Sequence, residues 1–89
     1  MSTHKPHASS PPIKIASLTP AHKNFTLLFE LIEIESRTDH ELRCRIVDDT
    51  GIIDACFNKY AQKLEDGIVY EMTNLKCKVI NSHLQVKMT

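Results

Sequence analysis

The stretch from Phe25 to Glu35 constrains the fold more than any other part of the chain. Phe25, Leu27, Phe29 and Leu31 fall on every second residue, the spacing that lines one face of an extended strand. After Leu31 the phase slips by one residue, and Ile32 and Ile34 carry the apolar positions. Leu and Glu are good helix formers, so a helix competes here, but the stretch lacks a clean 3.6-residue stripe. A long strand with a one-residue slip implies a bulge or sharp bend. Such a strand can serve two sheets, as the first strand of a small closed barrel must. The chain has 89 residues, which suffices for one domain and not for two.

The remaining runs fit the same plan. Ile13, Ile15 and Leu18 form an apolar lead-in that stops at Thr19-Pro20, and Pro20 biases the residue before it toward extended backbone. This segment reads as a strap against the barrel rather than a helix. After a polar connection at Ser36–His40, Leu42, Cys44 and Ile46 alternate with Arg43, Arg45 and Val47. Asp48-Asp49-Thr50-Gly51 is a turn, with Asp at its start and Gly expected to supply the left-handed position. Ile52 to Phe57 completes a hairpin. Asn58 can cap a short helix with Ala61 and Leu64 on its inner face, and Asp66-Gly67 ends it. Ile68 to Ile80 is a second long extended run, with Leu75, Cys77 and Val79 on one face and Lys76, Lys78 and Ile80 on the other. After an Asn81-Ser82 turn, Leu84, Val86 and Met88 face in while His83, Gln85 and Lys87 face out. The order predicts an all-β fold, a five-stranded closed barrel with one short helix between strands 3 and 4. Closure removes strand edges that so small a chain cannot otherwise cover. An open meander or SH3-like barrel is the alternative, and neither needs a helix at that point.

Residues 1–12 are polar and rich in Ser, His and Pro, a composition that cannot bury a core. They are expected to form a disordered tail, with His4 and His7 solvated, leaving 13–89 as the folded domain. The three cysteines, Cys44, Cys56 and Cys77, are odd in number and show no CxxC spacing. They read as packing residues or surface thiols rather than a disulfide framework or zinc site. No apolar run approaches the roughly 18 residues of a membrane span, and residues 1–12 lack the apolar core of a signal peptide. An intracellular protein is expected. There is no Gly-rich phosphate loop, no HExxH and no supported Ser-His-Asp set. Glu30, Glu33 and Glu35 read as a solvated acidic edge. Neither catalysis nor a cofactor is expected.

Several segments together resemble a known family. They are Ser17-Leu18-Thr19-Pro20, Lys23-Asn24, the long first strand, Ile46-Val47-Asp48-Asp49-Thr50-Gly51-Ile52-Ile53 and Asp66-Gly67-Ile68. In this order they are similar to the OB domains of eukaryotic single-stranded DNA-binding proteins, those of the SOSS complex small DNA-binding subunit and of replication protein A. The expected helix between strands 3 and 4 is also the OB-fold arrangement. The resemblance implies an OB-fold, a nuclear role in DNA repair, replication or telomere maintenance, and work within a larger protein complex. It further implies base stacking on aromatic side chains of strands 3, 4 and 5. Phe57 matches one such position; the others fall on Lys76, Ile80 and Lys87.

Single-strand binding needs a basic groove for phosphates and aromatic faces for bases. Arg43, Arg45, Lys76, Lys78 and Lys87 are the outward cations expected to form the patch, and Phe57 is the stacking candidate if it faces out. If Ile53, Ala55 and Phe57 face in, Phe57 is core. Tyr60 and Tyr70 are further aromatics, with Tyr70 expected to cover the barrel. The formal net charge is zero, so any basic surface has to come from local arrangement. The expected role is weak to moderate single-stranded DNA binding, with no membrane and no small-molecule substrate. The alternative is a structural subunit that binds a larger protein and has little DNA affinity. RNA or tRNA binding is a third reading.

Overall fold

The computed structural model describes residues 11–88. The expected disordered tail lies mostly outside them, His4 and His7 included; Pro11 and Pro12 are exposed. The strands are β1 (Lys23–Arg37), β2 (Leu42–Asp48), β3 (Gly51–Phe57), β4 (Val69–Ile80) and β5 (His83–Met88). They close into a barrel in the order β1-β2-β3-β5-β4, all neighbours antiparallel except the parallel pair β3–β5.

β1 serves both sides of the barrel, as its sequence predicts. Its first part pairs with β4 and its second with β2, and the register shifts between Leu31 and Glu33. Ile32 is the extra residue there and stands out into solvent, while Ile34 returns to pack against the core. A second irregularity was not visible in the alternation. Asn74 takes a left-handed φ of 60°, which Asn tolerates better than most residues. The register against β1 slips beside it, so Met72 and Leu75 both point inward.

The turns have two different origins. Asn81 and Ser82 both have positive φ, 52° and 68°, the backbone of a type I′ hairpin turn. The β2–β3 turn has no left-handed residue, so the expected role of Gly51 is corrected. The Asp48 carboxylate shapes this turn instead, as an Asx turn does. Its Oδ1 accepts from the Thr50 and Gly51 N–H groups at 2.7 and 3.2 Å and from the Thr50 hydroxyl. Its Oδ2 accepts from the Ile15 N–H at 2.8 Å. The carboxylate thus fastens the lead-in strap to the hairpin. The strap makes one 3₁₀ turn, Ile15–Ser17, with Ile15 and Leu18 buried.

The connection from β3 to β4 is also corrected. Ala61 and Leu64 are buried as expected, but they sit on one isolated turn, not a helix. The Tyr60 carbonyl accepts from both Lys63 and Leu64 N–H, at 2.9 and 3.3 Å. Asn58 does not cap it; its side-chain amide donates to the His40 carbonyl. The turn is pinned from outside by the Arg37 guanidinium, which donates to the Ala61 and Leu64 carbonyls at 3.1 and 2.7 Å. So short a segment forms too few propagating hydrogen bonds to offset the cost of nucleating a helix.

Candidate nucleic-acid interface

Strand register decides which outward side chains meet. Arg43 pairs with Cys56, Cys56 with Lys87, Lys87 with Lys76, and Lys76 with Lys23. Neighbouring strands lie about 4.8 Å apart, so these positions form one continuous row around the outside of the barrel. The next row reads Arg45, Asp54, Gln85 and Lys78. All five cations singled out in the sequence therefore lie in two adjacent rows. Lys23 joins them, and only its partner across β4 could reveal it.

Phe57 does not belong to this surface. It is 0% exposed and stacks on Phe29 with ring centroids 5.8 Å apart. Its expected stacking role is corrected: Phe57 pairs with inward Leu42, so Ile53, Ala55 and Phe57 form the inner face of β3 and Ile52, Asp54 and Cys56 the outer one. Tyr70 covers the barrel near Phe29, and its hydroxyl accepts from the Glu65 N–H at 2.8 Å.

The cations differ in availability. Arg43 Nε lies 3.3 Å from a Glu41 carboxylate oxygen, and Arg45 Nε 3.3 Å from an Asp54 oxygen. The other Glu41 oxygen accepts from the Cys56 thiol at 3.1 Å. That thiol and Arg43 together hold the Glu41 carboxyl below its ordinary pKa. Lys23, Lys76, Lys78 and Lys87 form no ion pair among the described residues. The two arginines are thus partly neutralised where they stand, and the lysines supply the open positive charge.

Beside these rows runs a groove. One section, about 460 Å³, is lined by residues including Arg45, Ile52, Asp54, His83 and Leu84. A second, about 180 Å³, shares Asp54, His83 and Leu84 and continues past Arg43, Gln85 and Asn81. Ile52 and His83 carry no signal in the sequence that distinguishes them from ordinary strand residues. They reach the groove only because β5 inserts beside β3. The two flanking connections are short, so the walls are low.

The thiols differ in environment. Burial pushes the Cys44 pKa up to about 12. Cys56 is also raised, first by burial and then by its bond to Glu41. Cys77 is raised by burial alone and remains partly exposed. The thiolate is the reactive form, so a native-state thiol assay is expected to modify Cys77 first, with Cys44 reacting only on unfolding. Mass mapping that finds Cys44 labelled as fast as Cys77 would contradict this.

The chain matches no protein-family model and no curated protein. Solved structures do match its backbone. The OB domain of Ta0387 from Thermoplasma acidophilum superposes with a TM-score of 0.74 at 17% identity, covering 89% of this chain and 79% of that one. The fold is an OB-fold. A murine DNA-binding protein solved with double-stranded DNA superposes with a TM-score of 0.69 at 18% identity, covering 88% of this chain. This OB-fold spans 43% of that protein's chain. In OB-folds generally, the strand 2–3 face and the loops between strands 1–2 and 4–5 hold oligonucleotides. Here that face carries the groove, with the cation rows crossing it.

Proposed function

We propose that this OB-fold binds single-stranded nucleic acid, DNA in the first instance, across the β2–β3–β5 face. One observation carries the reading: the register that aligns Arg43, Lys87, Lys76 and Lys23 in one row, which starts at Arg43 in the groove and runs on across β5 to β4 and β1. Lysines act on phosphates as point charges, so the row contacts backbone rather than base edges. Ile52 and His83 offer the bases apolar and ring surface. Each stacked base on an aromatic contributes about 1–3 kcal/mol, and with Phe57 buried this contribution is small. Affinity is therefore expected in the range of non-specific binding, Kd on the order of 10⁻⁴–10⁻⁶ M. The motif resemblance supports a setting in a nuclear complex for DNA repair, replication or telomere maintenance, where the domain binds without catalysing a reaction.

The test is a fluorescence-anisotropy titration of a labelled oligo-dT strand over a salt series. Single-strand binding loses about 0.7 log units of affinity per phosphate contact for each tenfold rise in salt. Lys76→Ala with Lys87→Ala is expected to flatten that slope by about 1.4. A slope unchanged in the double variant, or no binding at low salt, would overturn the reading. An RNA strand of matching sequence separates DNA from RNA preference.

A second reading has its own support. Glu41 and Asp54 hold the two arginines, and Phe57, the stacking candidate of β3, is buried. Both fit a structural subunit that binds a larger protein and has little nucleic-acid affinity.

A further inference from the structure

The barrel carries a second, chemically distinct face far along β1 from the lysine row. Lys23 and Glu30 are seven residues apart on that strand, about 23 Å at strand rise. Leu28 pairs with Glu71, and Glu30 pairs with Val69 on one side and Val47 on the other. All of these point outward, because the alternating partners Leu27, Phe29 and Leu31 are buried. Leu28 is 50% exposed and Val69 61%. Ile68 and Ile32 extend the apolar strip, 47% and 38% exposed, where the Leu31 N–H donates to the Ile68 carbonyl at 3.1 Å. Four large aliphatic side chains thus stand in water at neighbouring positions, a pattern that marks an interaction surface rather than scattered exposure.

The charge around this strip is one-sided. A groove of about 420 Å³ over β1 is lined by Leu28, Val47 and Val69 together with Glu30, Asp48, Asp49 and Lys14. With Glu71 beside Leu28, four carboxylates stand against one ammonium, and that ammonium is already paired with Asp49 at 2.8 Å. Glu30 and Glu71 form no ion pair among the described residues. A chain of zero net charge has placed an apolar strip inside an acidic rim on one side and its open lysines elsewhere. Complementary potential selects partners and excludes wrong ones. The rim repels nucleic acid and acidic segments, and favours a cationic one.

We infer that the outer face of β1 and the start of β4 docks a protein segment whose apolar side chains are flanked by Lys or Arg. The apolar residues cover Leu28, Val69, Ile68 and Ile32, and the cations meet Glu30 and Glu71. This gives the protein-partner reading a surface, and it holds whether or not the lysine row binds nucleic acid. Occupation of one face leaves the other open, so both can be filled together.

The experiment pans a random dodecapeptide phage library on the full chain, with counter-selection against a Leu28→Glu/Val69→Glu variant. Enriched peptides are expected to interleave aliphatic residues with Lys or Arg. A synthetic copy is expected to bind the double variant at least tenfold more weakly. A Glu30→Lys/Glu71→Lys variant, changed only at surface carboxylates, is expected to lose the same peptide while oligo-dT binding is retained or strengthened by the added positive charge. If the apolar-to-Glu variant does not fold, this charge-reversed one decides. Peptides without cationic residues, or equal binding to the charge-reversed variant, would overturn the inference. So would sedimentation showing a dimer of this chain that Leu28→Glu dissolves, because the occupant would then be a second copy.

Discussion

Phe57→Ala is expected to destabilise the domain by about 3–5 kcal/mol, the usual cost of emptying a large aromatic site in a core. The ring is fully buried, and Phe29, against which it stacks, also faces Tyr70 at 6.1 Å. Single domains have only about 5–15 kcal/mol of total stability, and less is expected of one this small. A domain of this size shifts its melting point by about 4–8 °C per kcal/mol, so the variant should melt far below the wild type. Calorimetry or a circular-dichroism melt reads this directly. A ring standing outward on the ligand face would do the opposite, lowering oligonucleotide affinity at an unchanged melting temperature. That outcome would reverse the assignment of Phe57 to the core.

Asp48→Ala is expected to cost about 2–3 kcal/mol at neutral pH, less than the sum of its bonds because such bonds share one acceptor and are partly exposed. The loss combines a turn and a tertiary clasp, since one carboxylate holds both the β2–β3 hairpin and the strap at Ile15. Burial raises the pKa of this group, but the Thr50 hydroxyl and the N–H groups of Ile15, Thr50 and Gly51 outweigh it, and the net shift is downward. A carboxyl with a lowered folded-state pKa stabilises fully above its unfolded value, near 3.9 for Asp. That contribution disappears as the pH falls through the lower folded value. The gap between wild type and Asp48→Ala in urea unfolding should therefore narrow from pH 7 toward pH 2. A gap of constant size would mean that the charge on Asp48 contributes nothing.

The parts of the fold that alternation controls were legible in the sequence, and those that depend on strand partners were not. The slip after Leu31 announces a bulge because period-2 patterning cannot continue through an inserted residue. β2 reads cleanly because Leu42, Cys44 and Ile46 face Arg43 and Arg45 with no overlap in chemistry. β3 is ambiguous, since Ile52, Asp54 and Cys56 on one side and Ile53, Ala55 and Phe57 on the other each include apolar residues. Only pairing with β2 shows which set faces in. The same limit hid the ion pair of Arg45, though not that of Arg43, whose partner is local. Arg45 meets Asp54 across the hairpin, and Arg43 meets Glu41 just before its own strand. Asn74 gave no warning, because an Asn within a strand looks like an ordinary outward polar residue until its φ is known.

The insertion of β5 between β3 and β4 governs how the chain can be made. The final six-residue strand, His83–Met88, supplies hydrogen-bond partners to two strands at once. A nascent chain on the ribosome holds both edges unpaired until that piece emerges, and unpaired edges invite pairing with neighbouring chains. Closure of the barrel is thereby deferred until β5 has been made, so a chaperone that covers the open edges of β3 and β4 matters more for this domain than for one closed by its early strands.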